Sequence, residues 1–225
     1  MAANYKKAFN RVLKQAFPKE YRALLDETEQ HFAHISKDVA FAARSANPMD
    51  RRLDFSAYFL SLIKAMEKSG EPYDAIRRVC LAVATEYVRP KNRLQAFLKR
   101  LPPKLMGTRI GRLLTDALHK KVSVKGHEDG FEAHIITDKA ETYGLGYGVN
   151  ITACGICKLF DKHDSGKYTH ILCEVDKITT SLAGLEMYRT GTISGGAAVC
   201  DFRYRKKPGF GVFFAVRAAI PRRVR

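Results

Sequence analysis

The sequence lacks any apolar run of the ~18 residues that a membrane-spanning helix needs. Its first twenty residues carry scattered charges and no continuous apolar segment, which argues against a signal peptide. Internal repeats and low-complexity tracts are also missing. Apolar residues make up 46% of the 225 residues, which is enough to build a core. We therefore expect a folded cytoplasmic protein without a membrane span.

Acidic residues are scarce outside one segment. Residues 1–125 hold 25 Lys or Arg against 12 Asp or Glu, and residues 203–225 hold eight Lys or Arg and no acid. Residues 126–202 reverse this balance, with 11 acidic and six basic residues. The formal net charge of +16 favours contact with nucleic acid or an anionic surface. Because no nucleic-acid-binding motif accompanies the charge, we expect a solvated basic surface and no nucleic-acid partner.

Cysteine is also rare, and its count is odd. Five cysteines without an export signal argue against a disulfide framework. Cys80 lies on an apolar helical stripe and is most simply a core residue. The other four fall within a short stretch, and they are Cys154, Cys157, Cys173 and Cys200. That clustering suggests a site.

Residues 1–125 have the three-and-four spacing of amphipathic helices. One stripe holds Tyr58, Leu62 and Met66, and Pro102-Pro103 is expected to break a later helix. In the helix that follows, the residues expected to face inward are Ile110, Leu113, Leu114 and Ala117. The segment 87–125 is rich in Lys and Arg, with Asp116 as its single acid. We favour a solvated face there, with an acidic partner or a membrane surface as the alternative.

The pattern changes near Gly126 to short strands with turn signals. Strands are expected at 131–138, 143–152, 185–193, 197–205 and 211–220, with helices starting near Cys154 and at 167–182. Ser194-Gly195-Gly196 predicts a hairpin turn, and the glycines of 143–152 suggest close approach of another backbone or a ligand. The expected fold is α+β. A helical N-terminal region (1–125) is followed by a cysteine-rich domain (126–225) with a mostly antiparallel sheet and packed helices.

Cys154-Gly-Ile-Cys157 is a CxxC motif at the expected start of a helix. The helix N-terminus favours a thiolate at Cys154, which suits nucleophilic or redox chemistry. The motif is also half of a common zinc site, and two buried cysteines are the simplest alternative. Four thiolates could close a tetrahedral zinc site, and its ligands would be Cys154, Cys157, Cys173 and Cys200. Zinc is therefore an alternative cofactor, although this spacing is atypical of zinc ribbons.

Three further features supply charged groups near these thiols. Cys173 and Asp176 lie three apart on one helix face, so a thiol and a carboxylate could reach one ligand. On the expected strand, alternation sends Cys200 to one face and sends Asp201 and Arg203 to the other. Arg189 on the partner strand could bind a carboxylate, or it could simply pair with Asp201 at the surface.

These motifs together resemble those of a known family. The runs CGICKLF (154–160), LCEVD (172–176), YRTGTISGG (188–196) and CDFRY (200–204) are similar to the L-2-amino-thiazoline-4-carboxylic acid hydrolase family. The resemblance implies hydrolysis of a C–N bond in a small cyclic amidine that bears a carboxylate. For this reaction the residues themselves suggest that Asp176 or Asp201 transfers the proton and that Arg189 or Arg203 holds the substrate carboxylate. A covalent nucleophile would be Cys173 first and Cys154 second.

Besides a nucleic-acid role that would rest on charge alone, two other functions remain open at this point. One is a non-enzymatic module that binds a small molecule or a metal, with the N-terminal helices forming a dimer. The other is a thiol redox protein that uses the CxxC motif, although no βαβ pattern follows it. We expect the chain to be a homo-oligomer that acts on a small-molecule substrate.

Overall fold

The computed structural model describes residues 3–106, 108–124 and 126–207 of the chain. The first half of this part is helical. Its elements are α1 (Ala3–Ala16), α2 (Tyr21–Asp38), α3 (Arg52–Lys68), α4 (Tyr73–Val88), α5 (Arg93–Leu105) and α6 (Arg109–Val122). Over these three described ranges, no helix combines the length and hydropathy needed to cross a membrane.

The second half combines a four-stranded antiparallel sheet with two helices. Its elements are β1 (Glu132–Ile136), β2 (Gly148–Ala153), α7 (Gly155–Lys162), α8 (Thr169–Leu182), β3 (Leu185–Tyr188) and β4 (Cys200–Lys206). The strand order is β1-β2-β4-β3, and each neighbouring pair is antiparallel. A helical half followed by an antiparallel sheet with packed helices confirms the α+β fold class.

The glycine-rich stretch 143–152 explains how closely β2 and β4 approach. A Cβ on Gly148 would lie 3.0 Å from the carbonyl oxygen of Phe202, so glycine permits this strand spacing. The expected close approach of a second backbone is thus confirmed. The strand begins only at Gly148, because Gly144 and Gly146 adopt positive φ angles of 82° and 65° in the preceding turn.

The prediction for the inward face of α6 is wrong. Its apolar stripe faces solvent, and the exposed residues are Ile110, Leu113, Leu114 and Ala117. The buried side of the helix carries Thr115 and Val122 instead. That side packs on the sheet, where Nδ1 of His119 lies 3.1 Å from the carbonyl oxygen of Ile135. Packing against β1 therefore overrides the sequence pattern.

The predicted helix break at Pro102-Pro103 and the predicted hairpin turn at 194–196 also differ from the structure. α5 continues through Pro102 and Pro103, which occupy its last turn, and the N–H of Met106 still donates to the Pro102 carbonyl at 3.1 Å. The fixed φ of proline is helical, but each ring removes one i→i−4 hydrogen bond and crowds the carbonyl four residues earlier, and the helix ends soon after, at Leu105. The β3–β4 connection spans 189–199 rather than a tight Ser-Gly-Gly turn. The predicted strand at 211–220 and most of the basic tail lie outside the described residues.

One hydrophobic core takes side chains from both halves of the chain. The loop before α3 is tied to the start of the sheet: Nδ2 of Asn47 donates to the Phe131 carbonyl at 2.9 Å. The Phe131 N–H in turn donates to Oδ1 of Asp50 at 2.8 Å. Both Asn47 and Asp50 are fully buried, so this loop is held firmly. It delivers Arg52, the first residue of α3, to one face of the sheet.

Candidate functional site

A cavity of about 230 Å³ lies between the sheet, α6, α8 and the loop that precedes α3. Its wall combines apolar side chains with charged, hydroxyl-bearing and aromatic ones, and all of these elements contribute to it. The lining residues are Pro48, Met49, Arg52, Leu118, Val122, Ile135, Tyr147, Val149, Ile151, Asp176, Thr179, Thr180, Phe202 and Tyr204. Asp176 and Arg52 are the two charged members of this lining. A small cavity that combines apolar side chains with a few polar groups is the usual form of a small-molecule site.

Asp176 is the acidic group of the cavity. It lies on α8, and 32% of its side chain is exposed. Burial raises the pKa of its carboxyl, although the nearby guanidinium groups of Arg52 and Arg189 partly offset that effect. The rings of Tyr147 and Tyr204 stack beside it with centroids 5.5 Å apart. A carboxyl of raised pKa in a cleft is a candidate for proton transfer.

Cys154 immediately precedes α7 and is half-buried. A hydrogen bond from the Cys157 thiol lowers the pKa of Cys154 to about 7, and backbone N–H groups of Cys157 and Ile156 assist. Burial and the charge of Asp176 act in the opposite direction. The Cys157 thiol and the backbone N–H groups at the start of α7 thus favour the thiolate of Cys154.

The three other thiols of this region behave differently. The hydrogen bond to Cys154 and burial raise the pKa of Cys157, and burial raises that of Cys200 to about 11. Burial also raises the pKa of Cys173, whose Sγ lies 3.2 Å from Oγ of Ser194. The Cys200 sulfur accepts the backbone N–H of Ile193 at 3.1 Å. Cys154 is therefore the thiol best suited to ionise.

The four cysteines lie close enough to influence one another's charge, because the negative charge of Cys154 raises the pKa of Cys157, Cys173 and Cys200. All are free thiols. Within the described part of the chain, no group of three or more His, Cys, Asp or Glu side chains is arranged to hold a metal ion. Zinc on these four thiols stays a prediction from the sequence.

Arg189 lies behind the cavity wall. Its Nη2 donates to the Cys173 carbonyl at 3.1 Å, and its guanidinium lies 5.6 Å from the centre of the Phe202 ring. The Nη1 atom is buried and has no hydrogen-bond partner among the described residues. Leaving a buried cationic donor without a hydrogen-bond partner is costly in free energy.

The structure does not bring Asp201 and Arg203 to the cavity. Strand alternation turns both away from Cys200 and Phe202, as expected. Asp201 accepts hydrogen bonds from the Thr190 N–H, the Thr190 hydroxyl and the Gly191 N–H at 2.9–3.1 Å. Nη1 of Arg203 donates to Asn150 at 2.8 Å. The surface pair of Arg189 with Asp201 is also not formed, because Arg189 points to the opposite side.

Asp176 is the one lining residue that the sequence named as a site residue, and the missed ones include Arg52, Tyr147 and Tyr204. Arg52 could not be inferred from the sequence, because it lies far from the cysteine motifs in the chain. The loop that contains Asn47 and Asp50 positions it at the cavity. The two tyrosines could have been inferred from strand alternation, since Tyr204 shares a face with Phe202 and Cys200.

The comparisons with known proteins fit this arrangement. The model of the family described as L-2-amino-thiazoline-4-carboxylic acid hydrolase matches residues 51–204. The chain belongs to this family. No curated protein and no solved structure matches the chain. The matched range, 51–204, contains every residue that lines the cavity except Pro48 and Met49.

Proposed function

We propose that this hydrolase-family chain opens a C–N bond of a small, carboxylate-bearing cyclic amidine, such as 2-amino-thiazoline-4-carboxylate, in the cavity that Asp176 lines. The family supplies the substrate class, and its name implies hydrolysis. The cavity volume of about 230 Å³ suits a single small ring, since the pockets that bind drug-sized ligands measure about 300–1,000 Å³. The observation that carries the proposal is the carboxyl of raised pKa on this wall, beside the cation of Arg52.

The chemistry requires a base, an acid and a bound water. The amidine carbon is electrophilic, most strongly when the ring nitrogen is protonated. Water attacks that carbon while Asp176 accepts its proton, which gives a tetrahedral intermediate. The ring C–N bond then breaks, and the nitrogen leaves as an amine with the proton that Asp176 returns. The exocyclic amino group, the new oxygen and the ring sulfur stay on the former amidine carbon, so the atoms balance with one water added.

Two cations are available to hold the substrate carboxylate. Arg189 has a buried Nη1 atom with no partner among the described residues, and Arg52 lies at the cavity wall. Arg203 is the weaker candidate because it is engaged with Asn150 on the other face of the sheet. We assign the carboxylate to Arg189, because pairing there would satisfy a buried donor. Arg189 lies just outside the lining, but its charge reaches Asp176 and lowers the pKa of that carboxyl.

A covalent version of the reaction would use Cys154. Its pKa of about 7 keeps much of the thiol ionised at neutral pH, whereas that of Cys173 is raised. Attack of the thiolate on the amidine carbon would expel the ring amine, and water would then release the enzyme. Cys154 does not belong to the cavity lining, so water activated by Asp176 is the route that we favour.

Turnover of 2-amino-thiazoline-4-carboxylate in ¹⁸O-labelled water tests the proposal. We expect saturable formation of a ring-opened product with a free amine and one ¹⁸O atom. Trapping of an enzyme-bound adduct on Cys154 would replace the water route with the covalent one. Stoichiometric binding without turnover would overturn the hydrolase assignment and favour a ligand-binding module.

A further inference from the structure

Helices α5 and α6 carry most of the exposed apolar surface in the described residues. Seven of the eleven exposed large apolar side chains lie on them. These seven, the α5–α6 apolar surface, are Leu94, Phe97, Leu98, Leu101, Ile110, Leu113 and Leu114. Their exposure reaches 70% at Leu113. Clustered exposure of this kind marks an interaction site, whereas scattered apolar residues need no explanation.

On each helix these side chains follow one stripe. On α5 they recur at three- and four-residue spacing, which places them on a single stripe. On α6 the opposite side is occupied, because Thr115 and Val122 are buried against the sheet. Each helix has its own N-cap: Asn92 accepts the Gln95 N–H, and Thr108 accepts the Gly111 N–H. The caps stabilise the start of each helix, and the α6 stripe faces away from the sheet.

Positive charge surrounds the α5–α6 apolar surface. The exposed cations on and beside these helices are Lys91, Arg93, Lys104, Arg109, Arg112, Lys120 and Lys121. Between residues 87 and 124 the sequence contains one acid, Asp116. A second copy docked face to face would bring like charges together, which opposes self-association. An anionic surface would pair with the cations while it covers the apolar stripes.

We infer that the α5–α6 apolar surface binds the surface of an anionic lipid membrane. Apolar side chains flanked by Lys and Arg are the pattern of helices that lie in the membrane interface, with the apolar face in the headgroup boundary and the cations among acidic headgroups. The inner side of α6 contributes Leu118 and Val122 to the Asp176 cavity. Membrane binding thus holds one wall of that cavity next to the lipid surface.

Vesicle co-sedimentation of the full chain tests this inference. Phosphatidylcholine vesicles with and without phosphatidylserine are compared at low and high salt. We expect binding to the anionic vesicles only, and weaker binding as salt rises. The double variant Arg109→Gln/Arg112→Gln is expected to lower partitioning by about fivefold for each cation removed. Its matched control, Lys19→Gln/Arg51→Gln, removes two exposed cations elsewhere and is expected to bind like wild type.

A second pair of variants tests whether the apolar side chains of this surface contribute to vesicle binding. Leu98→Glu/Leu113→Glu is expected to abolish binding, whereas Tyr73→Glu on α4 is expected to keep it. Thermal unfolding and light scattering accompany both pairs. Absence of binding to phosphatidylserine vesicles at low salt overturns the inference. It is also overturned if Leu98→Glu/Leu113→Glu turns an oligomer into monomers, because the surface would then join copies of the chain.

Discussion

Oδ1 of Asp176 lies 3.9 Å from Nη1 of Arg52 at the wall of the cavity. The pair joins the first residue of α3 to the middle of α8, so it forms only in the folded chain. The Arg52 side chain is 63% exposed, and the pair is correspondingly weak as a source of stability. The pair matters for the pKa of Asp176. Burial raises that pKa, and the positive charge of Arg52 lowers it.

Removal of this cation should shift the pH dependence of hydrolysis. In Arg52→Gln the pKa of Asp176 rises further, so the ionised base is lost at a higher pH than in wild type. We expect the acid limb of the kcat/KM profile to move to higher pH, while the plateau stays within about a few fold. Arg51→Gln, an exposed neighbour, is the control and should leave the limb in place. High salt should make the kcat/KM pH profiles of wild type and Arg52→Gln coincide, because it screens the charge of Arg52. Coincident profiles at low salt would show that Arg52 does not act on Asp176.

The Cys154 thiol should react with iodoacetamide along a titration curve centred at about 7. The thiolate is the reactive form, so the alkylation rate is half-maximal at this pH and levels off at higher pH. Mass spectrometry of the modified peptide identifies the residue. Cys200, with a pKa of about 11, should stay unmodified at neutral pH, and Cys80→Ala should not alter the curve.

The same thiol titration, together with metal analysis of the purified protein, tests whether the four cysteines bind zinc. One zinc per chain together with four protected thiols would support the metal site predicted from the cysteine spacing. Rapid labelling of Cys154 in protein without zinc would contradict that site.

Arg189→Gln should weaken recognition of the substrate carboxylate. The loss of a charged hydrogen bond of about 1.5–3 kcal/mol corresponds to about tenfold to about a hundredfold in kcat/KM. With 2-amino-thiazoline, which lacks the carboxylate, wild type and Arg189→Gln should differ little. Arg203→Gln is the control, and it should not change the ratio of the two substrates. An equal loss with both substrates would give Arg189 a structural role only.

Asp201→Ala should destabilise the fold without changing the chemistry. Asp201 accepts hydrogen bonds from Thr190 and Gly191, so we expect a loss of about 1–3 kcal/mol in the free energy of unfolding. Burial raises the pKa of Asp201, but these hydrogen bonds lower it overall, below its ordinary 3.8. Its contribution is thus present above that value and is lost as pH falls through the folded-state pKa. Denaturant unfolding of wild type and Asp201→Ala at several pH values measures their difference in free energy of unfolding. A difference that grows toward acid pH would contradict the prediction.

The sequence predicts the secondary structure of the core well. The stripe of Tyr58, Leu62 and Met66 is fully buried, and Gly70 ends the turn after α3 with a φ of 76°. Amphipathic spacing succeeds there because α3 has neighbours on its apolar side. It fails for α6, whose apolar stripe has no described neighbour, since polar Thr115 faces the sheet instead. Periodicity identifies an apolar face but not what covers it.

The site could be predicted only in part. Local spacing correctly joined Cys173 to Asp176 on one helix and separated Cys200 from Asp201 on the strand. The partner of Asp176 could not be inferred, because Arg52 arrives through hydrogen bonds of a distant loop. The ionisation of Cys154 depends on its place before α7, which the sequence did indicate.

Hydrolysis of 2-amino-thiazoline-4-carboxylate by Asp176→Asn is the measurement that tests the central claim most directly. Asparagine keeps the shape of the side chain but cannot accept the proton of the attacking water. We predict a fall in kcat of about 10²–10⁴-fold, with substrate still bound. Asp201→Asn, the matched change on the far face of the sheet, should retain wild-type kcat. Equal activity of Asp176→Asn and wild type would contradict the account.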